Sequence, residues 1–112
     1  MPNLYLGGIR DAIDEKFLKD NKITHILSVI DRDVPRYPHI IGYKHIKIHD
    51  FPICQLSPYF DETSEFIDQS LVGDNRILVH CRMGVSRSAS VVIAYLMKKY
   101  NMSYDEAFQF VK

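Results

Sequence analysis

Residues 77–90, ILVHCRMGVSRSAS, constrain this chain more than any other stretch. A short apolar run reads as a buried strand and leads straight into Cys81. Five residues separate Cys81 from Arg87, Ser88 follows, and a helical run begins there. A strand that ends in a tight loop feeding a helix aims several backbone N–H groups at one point. The helix dipole adds partial positive charge at the same place. Gly84 sits mid-loop, where a sharp bend needs a residue without Cβ. Such a nest holds a phosphate-like dianion without any net positive charge on the whole chain.

The side chains around the nest carry the chemistry. Arg87 brings a planar guanidinium that grips two phosphate oxygens. A cysteine at a helix N-terminus beside an arginine favours its thiolate, and Cys81 at the base of the cradle is then a nucleophile aimed at phosphorus. The Ser88 hydroxyl is placed to donate to that sulfur. His80 is placed to orient the loop through its ring nitrogens. Residues 82–87 (Arg82, Met83, Gly84, Val85, Ser86 and Arg87) are the expected phosphate cradle. The leaving oxygen needs a proton from an acid on the far side of the loop. Asp50 is the first candidate, because it ends a strand and strand ends gather at one edge of an α/β sheet. Asp31 and Asp33 also follow a strand and are the alternatives. Arg82 either flanks the pocket or is simply solvated, and both readings stay open.

The remaining elements predict an α/β fold. Residues 4–6 read as a short strand, followed by a helix with Asp11 as N-cap and Asn21 as stop. Residues 23–30 read as a buried strand, completing a βαβ unit. Residues 31–42 carry two prolines and read as a loop. YKHIKIHD alternates strictly, with Ile46 and Ile48 inward and His45, Lys47 and His49 on a solvated face. Ser57-Pro58 reads as N-cap and first helical residue. The Tyr59, Phe60, Phe66, Ile67 and Leu71 stripe that follows reads as core. Gly73-Asp74-Asn75 is a turn. Residues 88–100 form a helix that is apolar nearly all round and therefore central, and Lys98-Lys99 suit its C-terminal end. Ser103 and Glu106 form a capping box for a last helix. The expected whole is one domain over residues 1–112.

Composition narrows the function. With 14 basic and 14 acidic residues the net charge is zero, which argues against a nucleic-acid binder working by bulk electrostatics. No apolar run reaches membrane-span length, and the N-terminus lacks the regions of a signal peptide. The two cysteines, Cys54 and Cys81, are then expected as thiols in the cytoplasm, the nucleus or both. Cys54 is either a redox partner for Cys81 or an ordinary half-buried cysteine, and the second reading is preferred. His45 and His49 share a strand face but lack further ligands at metal-site spacing, so no metal and no cofactor is expected.

At these residues the chain resembles the dual-specificity phosphatases of the protein tyrosine phosphatase superfamily, of the small atypical type. The signature is His-Cys, five residues, Arg, then Ser or Thr, and here it runs from His80 through Cys81 and Arg87 to Ser88. NLYLGG, ITHILSV, the Asp50 strand and the helix ending in AYLM match family features in order. The resemblance implies a central twisted, mainly parallel sheet of about five strands, flanked by helices on both faces. It also implies a further C-terminal helix beyond Lys112, where this sequence stops, so that helix is expected either to have been trimmed or to be replaced by a partner or dispensed with. It implies Cys81 as nucleophile, Arg87 as phosphate binder, Asp50 as general acid and Ser88 as the thiolate's partner. The implied substrates are proteins phosphorylated on tyrosine, serine or threonine; the charge balance and the lack of a span-length apolar run are the grounds for expecting neither nucleic acid nor membrane as a partner. Alternatives are a phosphate-recognition module with little turnover, or action on RNA 5′-phosphates or phosphoinositides. Met83 replaces the small residue common in the family and bears on substrate preference.

Overall fold

Four parallel strands build the sheet of the computed structural model, which describes residues 3–47, 57–82 and 86–111. They are β1 (Leu4–Gly8), β2 (His25–Val29), β3 (Gly42–Ile46) and β4 (Ile77–Cys81), in the order β1-β4-β2-β3. Among the described residues this is one strand fewer than expected. The last strand in sequence is thus inserted between the first two. All five residues of β4 are buried, as a central parallel strand requires, and its residues ILVHC read as a near-continuous apolar run. At the sheet edge, β3 buries only Ile46.

Helices cover both faces. Ile26 and Leu78 point to one face, where Ala12, Leu18 and Ile23 pack. The helices there are α1 (Ile9–Ala12) and α2 (Glu15–Asp20). Leu27, Val29, Ile46, Ile77 and Val79 point to the other face, against Ile67, Val91, Tyr95, Leu96 and Ala107. Those residues come from α3 (Phe60–Ser70), α4 (Ser86–Tyr100) and α5 (Tyr104–Val111). Tyr59, Phe60, Phe66 and Leu71 pack on this second cluster from its rim, as their spacing predicts.

Local chemistry shifts several boundaries. The single helix expected after Asp11 is two. Asp11 instead accepts from the Gly8 N–H at 3.1 Å, while Asp14 caps α2 by accepting from Phe17 N at 3.1 Å. Two acids in range of free N–H groups give two helix starts. Residues Ser57–Tyr59 form a 3₁₀ turn before α3, so Ser57 is not the cap of that helix. The Ser103–Glu106 box forms as expected: Ser103 N donates to Glu106 Oε1 at 3.0 Å and Glu106 N to Ser103 Oγ at 3.2 Å.

Helix α2 ends in a Schellman motif, with Ile23 N donating to Leu18 O at 2.9 Å and Lys22 N to Lys19 O at 3.1 Å. Lys22 occupies the left-handed position at φ 56°, where glycine is the common residue. Asn101 does the same after α4 at φ 54°, a role asparagine tolerates. Among the described residues no helix is long and apolar enough to cross a membrane.

Candidate active site

The C-terminal ends of the strands lie in one row. Gly8, Cys81, Val29 and Ile46 are neighbours across β1, β4, β2 and β3. Cys81 therefore ends the central strand, flanked on both sides by backbone. It is 1% exposed and points to the α3–α4 face, by alternation with Val79. Its Sγ lies 3.6 Å from Ser88 Oγ in the first turn of α4, and Ser88 is 0% exposed. That is within the reach of a sulfur hydrogen bond, with either atom as donor. Helix α4 starts two residues earlier than its sequence suggests, so Ser88 is inside the helix and Arg87 is in its first turn. Arg87 is half-buried, whereas Arg82 is exposed. The Arg82 carbonyl accepts from Ile9 N at 3.5 Å, which ties the exit of β4 to the start of α1.

His80 has a different position from the one its neighbour suggests. Strand alternation turns it to the opposite face, with Leu78. It is fully buried, and its Nε2 lies 2.6 Å from Ser28 Oγ. Burial lowers its pKa to about 4, against an opposing pull from the Cys81 backbone, so the ring is neutral at physiological pH. His45 also departs from the solvated face expected for it. It is half-buried, and its Nε2 is 3.0 Å from the Ile30 carbonyl.

The acid candidates separate only in part. Asp50 lies outside the described residues, as do His49, Cys54 and the loop residues Met83, Gly84 and Val85; the side chain of Ser86 does too. Asp33 is exposed and pairs with Lys47 at 3.1 Å. The Lys47 hydrogen bond and charge hold its carboxyl below the usual range, which makes it a poor proton donor. Asp31 is half-buried two residues beyond the end of β2. Among the described residues no group of three His, Cys, Asp or Glu side chains could hold a metal ion.

A groove of about 520 Å³ between α3 and α4 lies at the other end of α4, beside Tyr95, Lys98 and Lys99. Lys98 pairs there with Asp61 at 3.1 Å and Lys99 with Asp68 at 2.9 Å. Its cations are thus engaged by α3, and the groove is unsuited to phosphate. Sequence reading missed Ser28. A serine inside an apolar strand was the available signal.

The sequence model of the family described as dual specificity phosphatase, catalytic domain, matches residues 4–112. Dual specificity protein phosphatase 1B of Arabidopsis thaliana is 42% identical over 109 residues, covering 97% of this chain and 65% of the relative. The crystal structure of DUSP15 superposes with a TM-score of 0.90 at 34% identity, covering 100% of this chain and 71% of that one. The crystal structure of human DUSP28 gives 0.88 at 30% identity, covering 100% and 76%. The chain spans less than two thirds of the length of the curated relatives it matches. A family match across nearly all of its residues, on a parallel sheet whose central strand ends in a buried cysteine, means that this chain belongs to the dual specificity phosphatase catalytic-domain family.

Proposed function

We propose that the chain hydrolyses phosphomonoesters of tyrosine, serine and threonine in proteins through a cysteinyl-phosphate. The observation that carries this reading is Cys81 at the end of the central strand, with the Ser88 hydroxyl 3.6 Å from its sulfur. Strand β4 ends at Cys81 and helix α4 begins at Ser86, and in this reading the backbone N–H groups of residues 82–87 and the Arg87 side chain would hold the phosphate oxygens.

In the first step the Cys81 sulfur attacks phosphorus. The S–P bond forms as the bond to the ester oxygen breaks, and Asp50 gives that oxygen its proton. In the second step the Asp50 carboxylate takes a proton from water as the water oxygen attacks phosphorus. The S–P bond breaks, the thiolate leaves with a hydrogen bond from Ser88, and inorganic phosphate is released. Asp50 rests on its sequence position and the family resemblance, and the Lys47 pairing of Asp33 favours it over that alternative. The mechanism needs a reduced thiol, which supports the cytoplasm or nucleus as its setting.

The experiment is hydrolysis of p-nitrophenyl phosphate in excess chelator, followed by phosphopeptides of each residue type. Turnover is expected without added metal and is expected to vanish in Cys81→Ser. Turnover that survives Cys81→Ser ends this reading.

A further inference from the structure

One row below Cys81, on the opposite face of the sheet, the strands carry polar residues. Gly7, His80, Ser28 and His45 are neighbours across β1, β4, β2 and β3. The Asp11 carboxylate stands over Gly7, close enough to exclude a Cβ there. Ser28 is 1% exposed, and Ile26, Leu27 and Val29 around it are all buried. A hydroxyl in such a strand is unfavourable unless it is hydrogen-bonded. Its partner is His80 Nε2 at 2.6 Å, a short bond between two buried groups. Among the described residues the other ring nitrogen, Nδ1, is buried and meets no side-chain partner, and the Cys81 backbone is the group that pulls on the ring from its own strand. Among the described residues Ser28 is therefore the side chain that holds the imidazole. The charged or titratable groups acting on the ring are Asp11 from α1 and His45 from β3.

His80 cannot touch the reacting phosphate from this face, but it is joined to Cys81 by one peptide bond. The Cys81 backbone acts directly on the ring. We infer that Ser28 is a positioning residue for Cys81: by anchoring His80 from the back of the sheet, it sets the backbone on which the thiolate stands. This rests on the proposed phosphatase reaction for its effect on turnover, though not for its effect on the thiol. A displacement of the nucleophile by a fraction of an ångström is costly in rate while leaving phosphate binding by the loop largely intact.

The test uses Ser28→Val, which removes the hydroxyl without opening a cavity, Ser28→Thr, which keeps it, and Ile26→Val as a core control on the same strand and face. Two quantities are read: kcat and KM on p-nitrophenyl phosphate, and the pH midpoint of Cys81 alkylation by iodoacetamide, resolved by peptide mass spectrometry. Ser28→Val is expected to lower kcat roughly tenfold or more with KM nearly unchanged, and to raise the alkylation midpoint. Ser28→Thr is expected to recover most of both, and Ile26→Val to leave both alone. In a His80→Asn background Ser28→Val is expected to add little, because it acts through the ring.

Wild-type values in Ser28→Val overturn the inference. So does a Ser28→Thr loss as large as that of Ser28→Val, an equal loss in Ile26→Val, or an additive loss in the double variant. A wild-type chain with no turnover sinks the proposed reaction instead. The alkylation midpoint then decides alone: a shift in Ser28→Val upholds the positioning role, and no shift ends it.

Discussion

Cys81 and Ser88 belong to different elements, a central strand and the helix after it, and their side chains meet at 3.6 Å with neither exposed to solvent beyond 1%. In the proposed reaction a hydroxyl so placed stabilises the sulfur anion that forms when the S–P bond breaks. It matters less when that bond forms. Ser88→Ala is therefore expected to slow breakdown of the cysteinyl-phosphate, with kcat down by about tenfold and KM falling with it. Stopped-flow release of p-nitrophenol is expected to show a burst in the variant. A linear trace with unchanged kcat would remove Ser88 from the second step.

In the proposed reaction Asp50 is the proton donor, so Asp50→Ala is expected to lower kcat on phosphotyrosine peptides by about a hundredfold or more. Esters of more acidic phenols, which leave without a proton, are expected to lose less. Asp33→Asn is expected to be near normal on both, because Asp33 is exposed and engaged by Lys47. Steady-state kinetics over a series of aryl phosphates distinguishes the two. A large loss in Asp33→Asn would reassign the acid.

His80 couples stability to pH. Its folded pKa is about 4, below the ordinary value of 6.5, because burial penalises the charged ring. Between those values the unfolded chain binds the proton and the folded chain does not. Stability from this group is therefore full above the unfolded pKa, is lost as pH falls from 6.5 toward 4, and changes no further below that. The whole interval corresponds to about 3 kcal/mol. Urea unfolding of the wild type and His80→Gln at pH 7, 6, 5 and 4 checks it. The gap between the two is expected to narrow as pH falls, and a constant gap would contradict the burial of a neutral ring.

Lys22 is a residue in a glycine position. At φ 56° its Cβ is crowded, and both Schellman hydrogen bonds form around it regardless. Lys22→Gly is expected to stabilise the protein by about 1 kcal/mol, offset in part by the greater freedom of glycine in the unfolded chain. Thermal unfolding measures it. A lower Tm in the glycine variant would mean that Lys22 contributes something its backbone angle does not reveal.

Much of the fold was legible because burial writes itself into periodicity. The runs at 25–29 and 77–81 are apolar because parallel strands covered on both faces tolerate little else. The capping box at Ser103 and Glu106 depends on residues three apart and needs no tertiary information. The split of the first helix was harder to read. Asp11 and Asp14 are equally good caps in isolation, and the choice depends on how β1 delivers the Gly8 N–H to Asp11.

The candidate site divides in the same way. The order His80, Cys81, Arg87, Ser88 already determined that a thiol would stand at a strand end just before a helix start, because few residues of chain separate the strand from the helix. Which face each side chain takes was decided by the sheet. Parity puts Cys81 toward α4, where Ser88 meets it, and puts His80 on the other side, against a serine 52 residues away in sequence. That pairing exists only because β4 inserts beside β2, and strand order is a property of packing that no local pattern encodes.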